Sequence, residues 1–224
     1  MKRPLDHVAA ALLWRYACHS LMLGLALINE ARPAPTLPDA VLAVTPYVEW
    51  IGAYNYHLWL ALYVPVALTL WWRDRAAFVH FLYVGGVLSL LRGVCINLTG
   101  LGPVDGPDVN AGLDWARGVA AWWNLVNPLP TFQAAGAHVH LTKDLFFSGH
   151  TATTFLLYLY ARRAGLGGVA LAAHLTVVAT VFLSRLHYTI DVVAAWAITW
   201  ALFRLCVERW PPAAHFRTRP RPAT

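Results

Sequence analysis

The chain is poor in charge. Only 12% of its 224 residues are Asp, Glu, Lys or Arg, while 58% are hydrophobic and the mean hydropathy is +0.51. A soluble domain carries roughly 25% charge, so a soluble class is excluded and an integral membrane protein is implied. Cysteine is scarce as well. Cys18, Cys95 and Cys206 fall one per apolar segment, which excludes a disulfide framework and a zinc-type spacing. They are expected as buried free thiols. No internal repeat is present. The net charge of +6 does not gather in one patch. Short basic groups separate apolar runs, so topology accounts for them and nucleic acid is not an expected partner.

What the chain has in abundance is apolar length. Six runs, roughly 8–29, 51–72, 76–96, 148–164, 165–184 and 187–207, each approach the ~20 residues that a helix needs to cross a bilayer. The expected fold is therefore all-α, a polytopic membrane protein with six transmembrane helices. Residues 1–210 form one domain, and 211–224 form a Pro- and Arg-rich cytoplasmic tail expected to be disordered. The first run follows Met-Lys-Arg as a signal peptide would. It is longer than a signal's apolar region and is interrupted by Arg15 and His19, so a retained helix is expected. Pro33, Pro35 and Pro38 make the next loop begin as a non-helical crossing. Segment 97–147 is too polar and too broken by glycine and proline to span. It is expected at the interface, with an amphipathic helix near 111–126. Eleven tryptophans, among them Trp200 and Trp210 at the end of span six, fit interfacial anchoring. Eleven Lys and Arg residues fall on the side of the termini and five on the other. Cytoplasmic termini follow, with spans four and six starting on the outer face.

Two polar clusters begin those spans. Asp144 to Thr151 reads Asp-Leu-Phe-Phe-Ser-Gly-His-Thr, and His187 to Asp191 reads His-Tyr-Thr-Ile-Asp. Ionisable groups at membrane depth are a functional-site hypothesis by default. His187 and Asp191 are four apart and share a helix face. A carboxylate on one imidazole nitrogen fixes the tautomer and frees the other nitrogen to attack or accept a proton. If spans four and six pack side by side, His150 and His187 can work on opposite sides of one phosphorus, one as nucleophile and the other as general acid. Helix N-termini favour an anionic phosphate there. Gly149 permits close backbone approach, and Ser148 and Thr151 can cap the helix or bind phosphate oxygens. Taken singly, either cluster is as readily a cap or a buried polar bridge.

These clusters resemble the two signature motifs of the sphingomyelin synthase family, within the lipid phosphate phosphatase (PAP2) superfamily. The motif residues are Asp144, Ser148, Gly149, His150 and Thr151, then His187, Tyr188, Thr189, Asp191 and Val192. Pro35-Thr-Leu-Pro-Asp39 is similar to an earlier family stretch, and Arg92, Thr99 and Pro103 to another, so the likeness covers roughly residues 30 to 200. The resemblance implies a PAP2-like helical core. His187 would be the nucleophile on a head-group phosphorus, Asp191 its orienting carboxylate, and His150 the group that protonates the departing diacylglycerol oxygen. A phosphohistidine would carry a phosphocholine or phosphoethanolamine group from a glycerophospholipid donor to a ceramide-like acceptor, with membrane lipids as partners. No metal and no cofactor are implied. Some relatives release the group to water, as a phospholipase C would. The chain departs from the family at Thr142-Lys143, where Cys-Gly usually stands, and at Arg92, which is single.

Substrate-binding candidates are Asp144, Ser148, Gly149, Thr151, Arg92, Arg185 and Tyr188. Arg92 and Arg185 are candidate phosphate ligands, Asp144 a partner for a head-group cation or a helix cap, and Lys143 a solvated interfacial cation. His138 and His140 precede His150, but no carboxylate or cysteine joins them at ligand spacing. His19, His57, His80 and His174 read as structural, although His57 and Tyr56 can line a lipid groove. Two other readings stand beside transfer. One is a lipid phosphatase or phospholipase C-type hydrolase. The other is a non-catalytic scaffold or transporter that keeps these groups as glue between helices. Association into a homo-oligomer is compatible with all three.

Overall fold

The computed structural model describes residues 4–127 and 141–209. The tail beyond 210 and the pair His138 and His140 lie outside the described residues. Eight α-helices and no strand occur among them: α1 (Pro4–Glu30), α2 (Ala40–Val44), α3 (Glu49–Arg73), α4 (Arg75–Thr99), α5 (Trp115–Val126), α6 (Gly149–Ala161), α7 (Gly167–Leu183) and α8 (Thr189–Arg209).

The connections divide the bundle into two unlike ends. At one end the chain turns tightly. Asp74 closes α3 and also caps α4, its Oδ1 accepting from the Ala77 N–H at 2.9 Å. A single 3₁₀ turn, Arg162–Ala164, and a left-handed Gly165 join α6 to α7. At the other end, among the described residues, lie the segments 31–39, 45–48, 100–114, 141–148 and 184–188. The polar motifs are in these loops or at the helix starts beside them.

Helix α6 sits at the centre. It touches α3, α4, α7 and α8, and eight of its thirteen residues are buried. At 1.5 Å per residue it is about 20 Å long, too short to cross a bilayer alone. It covers the first part of the expected span 148–164, which a 3₁₀ turn, Arg162–Ala164, completes. Among the described residues, three helices are long and apolar enough to span: α1 from His7, α4 and α8. The 17-residue α7 is apolar but short, and α3 is long but polar along Asn55, Tyr56 and His57. Length and apolarity therefore support a membrane protein with three clear spanning helices.

Helices α1 and α4 pack most intimately, because α4 is notched by glycine. A Cβ at Gly86 would enter the Trp14 indole, and one at Gly93 would stand 2.8 Å from Leu25 Cδ1 and 3.3 Å from Met22 Cα. Small residues let helix axes approach in this way. The helix expected near 111–126 exists as α5, Trp115–Val126. Trp122 and Tyr16 tie it to α1, donating to the Ser20 and Val126 carbonyls at 2.8 Å. Trp115, Val119 and Trp123, four apart on one face, stay exposed. Of the thiols, Cys18 and Cys206 are buried, while Cys95 is only half-buried.

The loops at the long-loop end close on Gly102. Its N–H donates to the Pro35 carbonyl at 2.8 Å, and its own carbonyl accepts from the Tyr188 hydroxyl at 3.2 Å. A Cβ there would come within 2.9 Å of the Pro35 carbonyl carbon. Backbone cannot move aside as a side-chain tip can, so Gly102→Ala is expected to cost about 1–3 kcal/mol, the usual range for overpacking. A thermal unfolding curve in detergent reads this directly. An unchanged midpoint would mean that the loop junction is not as tight as described.

Candidate active site

Two helix N-termini meet at the long-loop end. Ser148 caps α6, its Oγ accepting from the Thr151 N–H at 3.4 Å. The Ser148 N–H in turn donates to the Asp191 carbonyl in the first turn of α8 at 3.1 Å. One backbone hydrogen bond thus fastens the start of α6 to the start of α8. Asp191 is fully buried, and its Oδ2 reaches back to the Tyr188 N–H at 2.9 Å. That is the N3-to-N-cap half of a capping box.

The histidines follow from this junction. His187 is 3% exposed, and its Nδ1 lies 3.5 Å from Asp191 Oδ2. That is ion-pair range but outside hydrogen-bond geometry. His187 Nδ1 and Asp191 Oδ1 are both buried without a hydrogen-bond partner. Complementary groups left unpaired this close are brought together by a small ring rotation, and such contacts are often long before substrate binds. His150 stands on the first turn of α6. Its ring centroid is 6.5 Å from that of His187, at 61° between planes. Trp59 of α3 backs it edge-to-face at 5.5 Å. Reacting atoms approach to about 3–3.5 Å in a productive complex. The two imidazoles are thus neighbours at the joined helix starts, where one phosphorus can be approached by both.

Arg92 clamps the approach to α6. Its Nε donates to the Phe147 carbonyl at 2.6 Å, its Nη2 to the Asp144 carbonyl and, at 3.0 Å, to Asp144 Oδ2, and its Nη1 lies 3.3 Å from Met22 Sδ. A Cβ on Gly149 would stand 3.1 Å from Arg92 Cζ, so the glycine admits the guanidinium over the helix start. Thr151 is fully buried and its Oγ1 has no partner. Arg185, at φ 49°, turns its guanidinium towards Asp105 and the Leu42 and Thr45 carbonyls, at 3.3–3.5 Å. The Tyr188 hydroxyl donates to the Gly102 and Pro103 carbonyls and accepts from the Leu37 N–H. The structure thus groups His150, His187, Asp191, Ser148, Gly149 and Arg92. It gives Tyr188 and Arg185 partners in the surrounding loops.

Lys143 is a correction. It is 1% exposed rather than solvated, with Nζ 2.7 Å from both Asp108 and the Arg32 carbonyl. The reason is Glu30, a fully buried carboxylate at the end of α1. Its oxygens accept from the Thr142 and Lys143 N–H groups, the Thr142 hydroxyl and the Asn110 amide. This knot holds the strand of chain that leads into Asp144 and pulls Lys143 inward. Sequence reading missed Glu30 because one carboxylate at a helix end carries no pattern. It missed Trp59 too, although Tyr56, Trp59 and Tyr63 recur at helical spacing and stack on one another.

Residues 143–208 match the family model described as PAP2 superfamily C-terminal. The matched segment runs from Lys143 through α6 and α7 into α8, and so contains both histidines and Asp191. No curated protein matches the chain. The match supports the PAP2 superfamily, whose members are typically phosphatases and phosphotransferases, and with it a lipid enzyme of that type.

Asp39 gains a definite place. Its Oδ1 accepts from the Val41 and Leu42 N–H groups at the start of α2, while Oδ2 accepts from the Thr189 N–H at 2.6 Å and Oδ1 from the Thr189 hydroxyl at 2.9 Å. Burial alone raises its pKa, but these hydrogen bonds outweigh burial and hold it below the usual carboxylate value. A lowered carboxylate contributes stability above its unfolded pKa, near 3.9, and loses it as pH falls through the folded value. Asp39→Ala is expected to remove two helix caps, at about 0.5–2 kcal/mol each, and with them part of the acid sensitivity. Melting curves from pH 3 to pH 7 should converge at the acid end. Parallel curves for the two proteins would contradict the assignment.

Proposed function

We propose that this protein moves a phosphorylated head group, of the phosphocholine or phosphoethanolamine type, from a glycerophospholipid to ceramide or a similar lipid alcohol. The observation that carries this reading is the 6.5 Å pairing of His150 and His187 across two joined helix N-termini, with Asp191 behind His187. His187 presents Nδ1 to Asp191, which leaves Nε2 as the nucleophile. Nε2 forms a bond to phosphorus while the phosphorus–oxygen bond to diacylglycerol breaks, and protonated His150 gives its proton to the departing oxygen. The acceptor hydroxyl then loses its proton to His150 and attacks the same phosphorus, which frees His187. The dipoles of α6 and α8 favour the phosphate charge throughout. Asp191 stabilises the cationic imidazole in each half-reaction.

In this reading α3, α6 and α7 complete a six-helix membrane core around the three clear spans. The termini are cytoplasmic and the histidines face the outer leaflet, as the distribution of Lys and Arg favours. Hydrolysis is the second reading. Partial exposure of His150 leaves water a route to the same phosphohistidine.

Purified protein in vesicles that hold a fluorescent ceramide and phosphatidylcholine, phosphatidylethanolamine or phosphatidylglycerol separates these outcomes by product mass. Phosphorylated ceramide identifies transfer and its donor. Diacylglycerol with a free phosphorylated head group and unchanged ceramide identifies hydrolysis. In either case His150→Gln is expected to lower turnover by about 10²–10⁴-fold, the usual contribution of a general acid–base, and His187→Ala to abolish it while the fold is kept. Full activity in His187→Ala would exclude the mechanism.

A further inference from the structure

Arg15 lies at the middle of α1, one of the three spanning helices, and the reaction scheme gives it no task. Its Nη1 donates to the Gly85 carbonyl at 2.5 Å and to the Ser89 hydroxyl. It has no ion pair and no other hydrogen bond among the described residues. Gly85 accommodates it closely, since a Cβ there would stand 3.2 Å from Arg15 Nε. A guanidinium stays charged and carries five N–H groups in a fixed fork. Joining α1 to α4 occupies one nitrogen, and the other two remain unpaired in an apolar segment. Such groups require acceptors.

Its position says where an acceptor comes from. Along α4, Gly85 is seven residues from Arg92, about 10 Å at helical rise. His19, one turn above Arg15, is exposed. On the facing side, His150 packs on Trp59 at 5.5 Å, Trp59 stacks on Tyr63 at 4.9 Å, and Tyr63 meets Phe81, one turn along α4 from Gly85, at 6.4 Å. A row of side chains thus runs from His150 to the level of Gly85, the group that Arg15 holds. A lipid with its phosphorus between the histidines hangs its acyl linkages along that row. The carbonyl oxygens of those linkages are the polar atoms it carries there.

We propose that Arg15 donates hydrogen bonds to a carbonyl oxygen of the bound lipid's acyl linkage, either a donor's ester or an acceptor's amide, and so selects acylated lipids and sets their depth. This rests on the head-group-transfer reading above. The test measures binding, so that it is separate from turnover. The His187→Ala protein is equilibrated with pairs of lipids, and retained lipid is counted by native mass spectrometry. One pair is diacyl and dialkyl-ether phosphatidylethanolamine, another is the same pair of phosphatidylcholines, and a third is ceramide with sphingosine. The carbonyl-bearing lipid of at least one pair should be retained about tenfold better, as one charged hydrogen bond allows. The pair that shows the preference names donor or acceptor. Adding Arg15→Met should bring the ratio near one, and Arg15→Lys should restore part of it. Ser89→Ala, which leaves the guanidinium in place, should keep the preference even if Arg15→Met fails to fold. Equal retention within every pair by the His187→Ala protein, or a preference that survives Arg15→Met, overturns the Arg15 site alone. Failure to retain any lipid overturns the head-group reading together with it.

Discussion

The hydrogen bond from the Ser148 N–H to the Asp191 carbonyl, between residues 43 apart in sequence, joins two helix starts. Everything chemical at this end depends on it. Each of the two helices carries one histidine within its first turn or just before it. Fastening the two starts fixes the distance between the rings more firmly than any side-chain contact could. The same junction aims two positive helix ends at one place. Asp191 also serves twice. Its backbone holds α6, while its carboxylate caps α8 and stands behind His187, so the position cannot change without disturbing both.

Loops brace this junction from outside the helices. Asp39 caps α2 and α8 together, Tyr188 pins three loop segments, and Arg92 holds the carbonyls that lead into α6. Glu30 and Lys143 form the buried knot behind that clamp. Buried charges of this kind add little to net stability when fully partnered, yet removing one partner strands the other. Their effect is to make one arrangement of the loop far better than its alternatives. A site between two imidazoles needs that precision, because small misplacements cost large factors in rate.

The grouping of His150, His187 and Asp191 was legible in the sequence because polar groups in apolar runs are few, and each therefore carries meaning. The six helical segments were legible for the same reason, from the length of their apolar runs. Helix α6 is shorter than the apolar run 148–164, since hydropathy reports apolar length and not where the helix gives way to a 3₁₀ turn. Lys143 was read as solvated because its partners, Glu30 and Asp108, lie 113 and 35 residues away in sequence, and no local pattern joins them. Arg185 and Tyr188 sit beside His187 in sequence. Their side chains reach loops whose course depends on tertiary packing. Asp39 stood in a recognisable stretch, but a proline-rich loop does not disclose which distant helix it will cap.

The central claim is that His187 forms a covalent bond to the head-group phosphorus. It is tested most directly by mixing the protein with phospholipid in the absence of an acceptor alcohol, quenching in neutral denaturant, and measuring intact and peptide masses. The account predicts an adduct with the mass of the phosphorylated head group, located on His187 and discharged when ceramide or water is given time to react. Transfer or hydrolysis that proceeds with no protein-bound phosphorus, or an adduct on another residue, would contradict it.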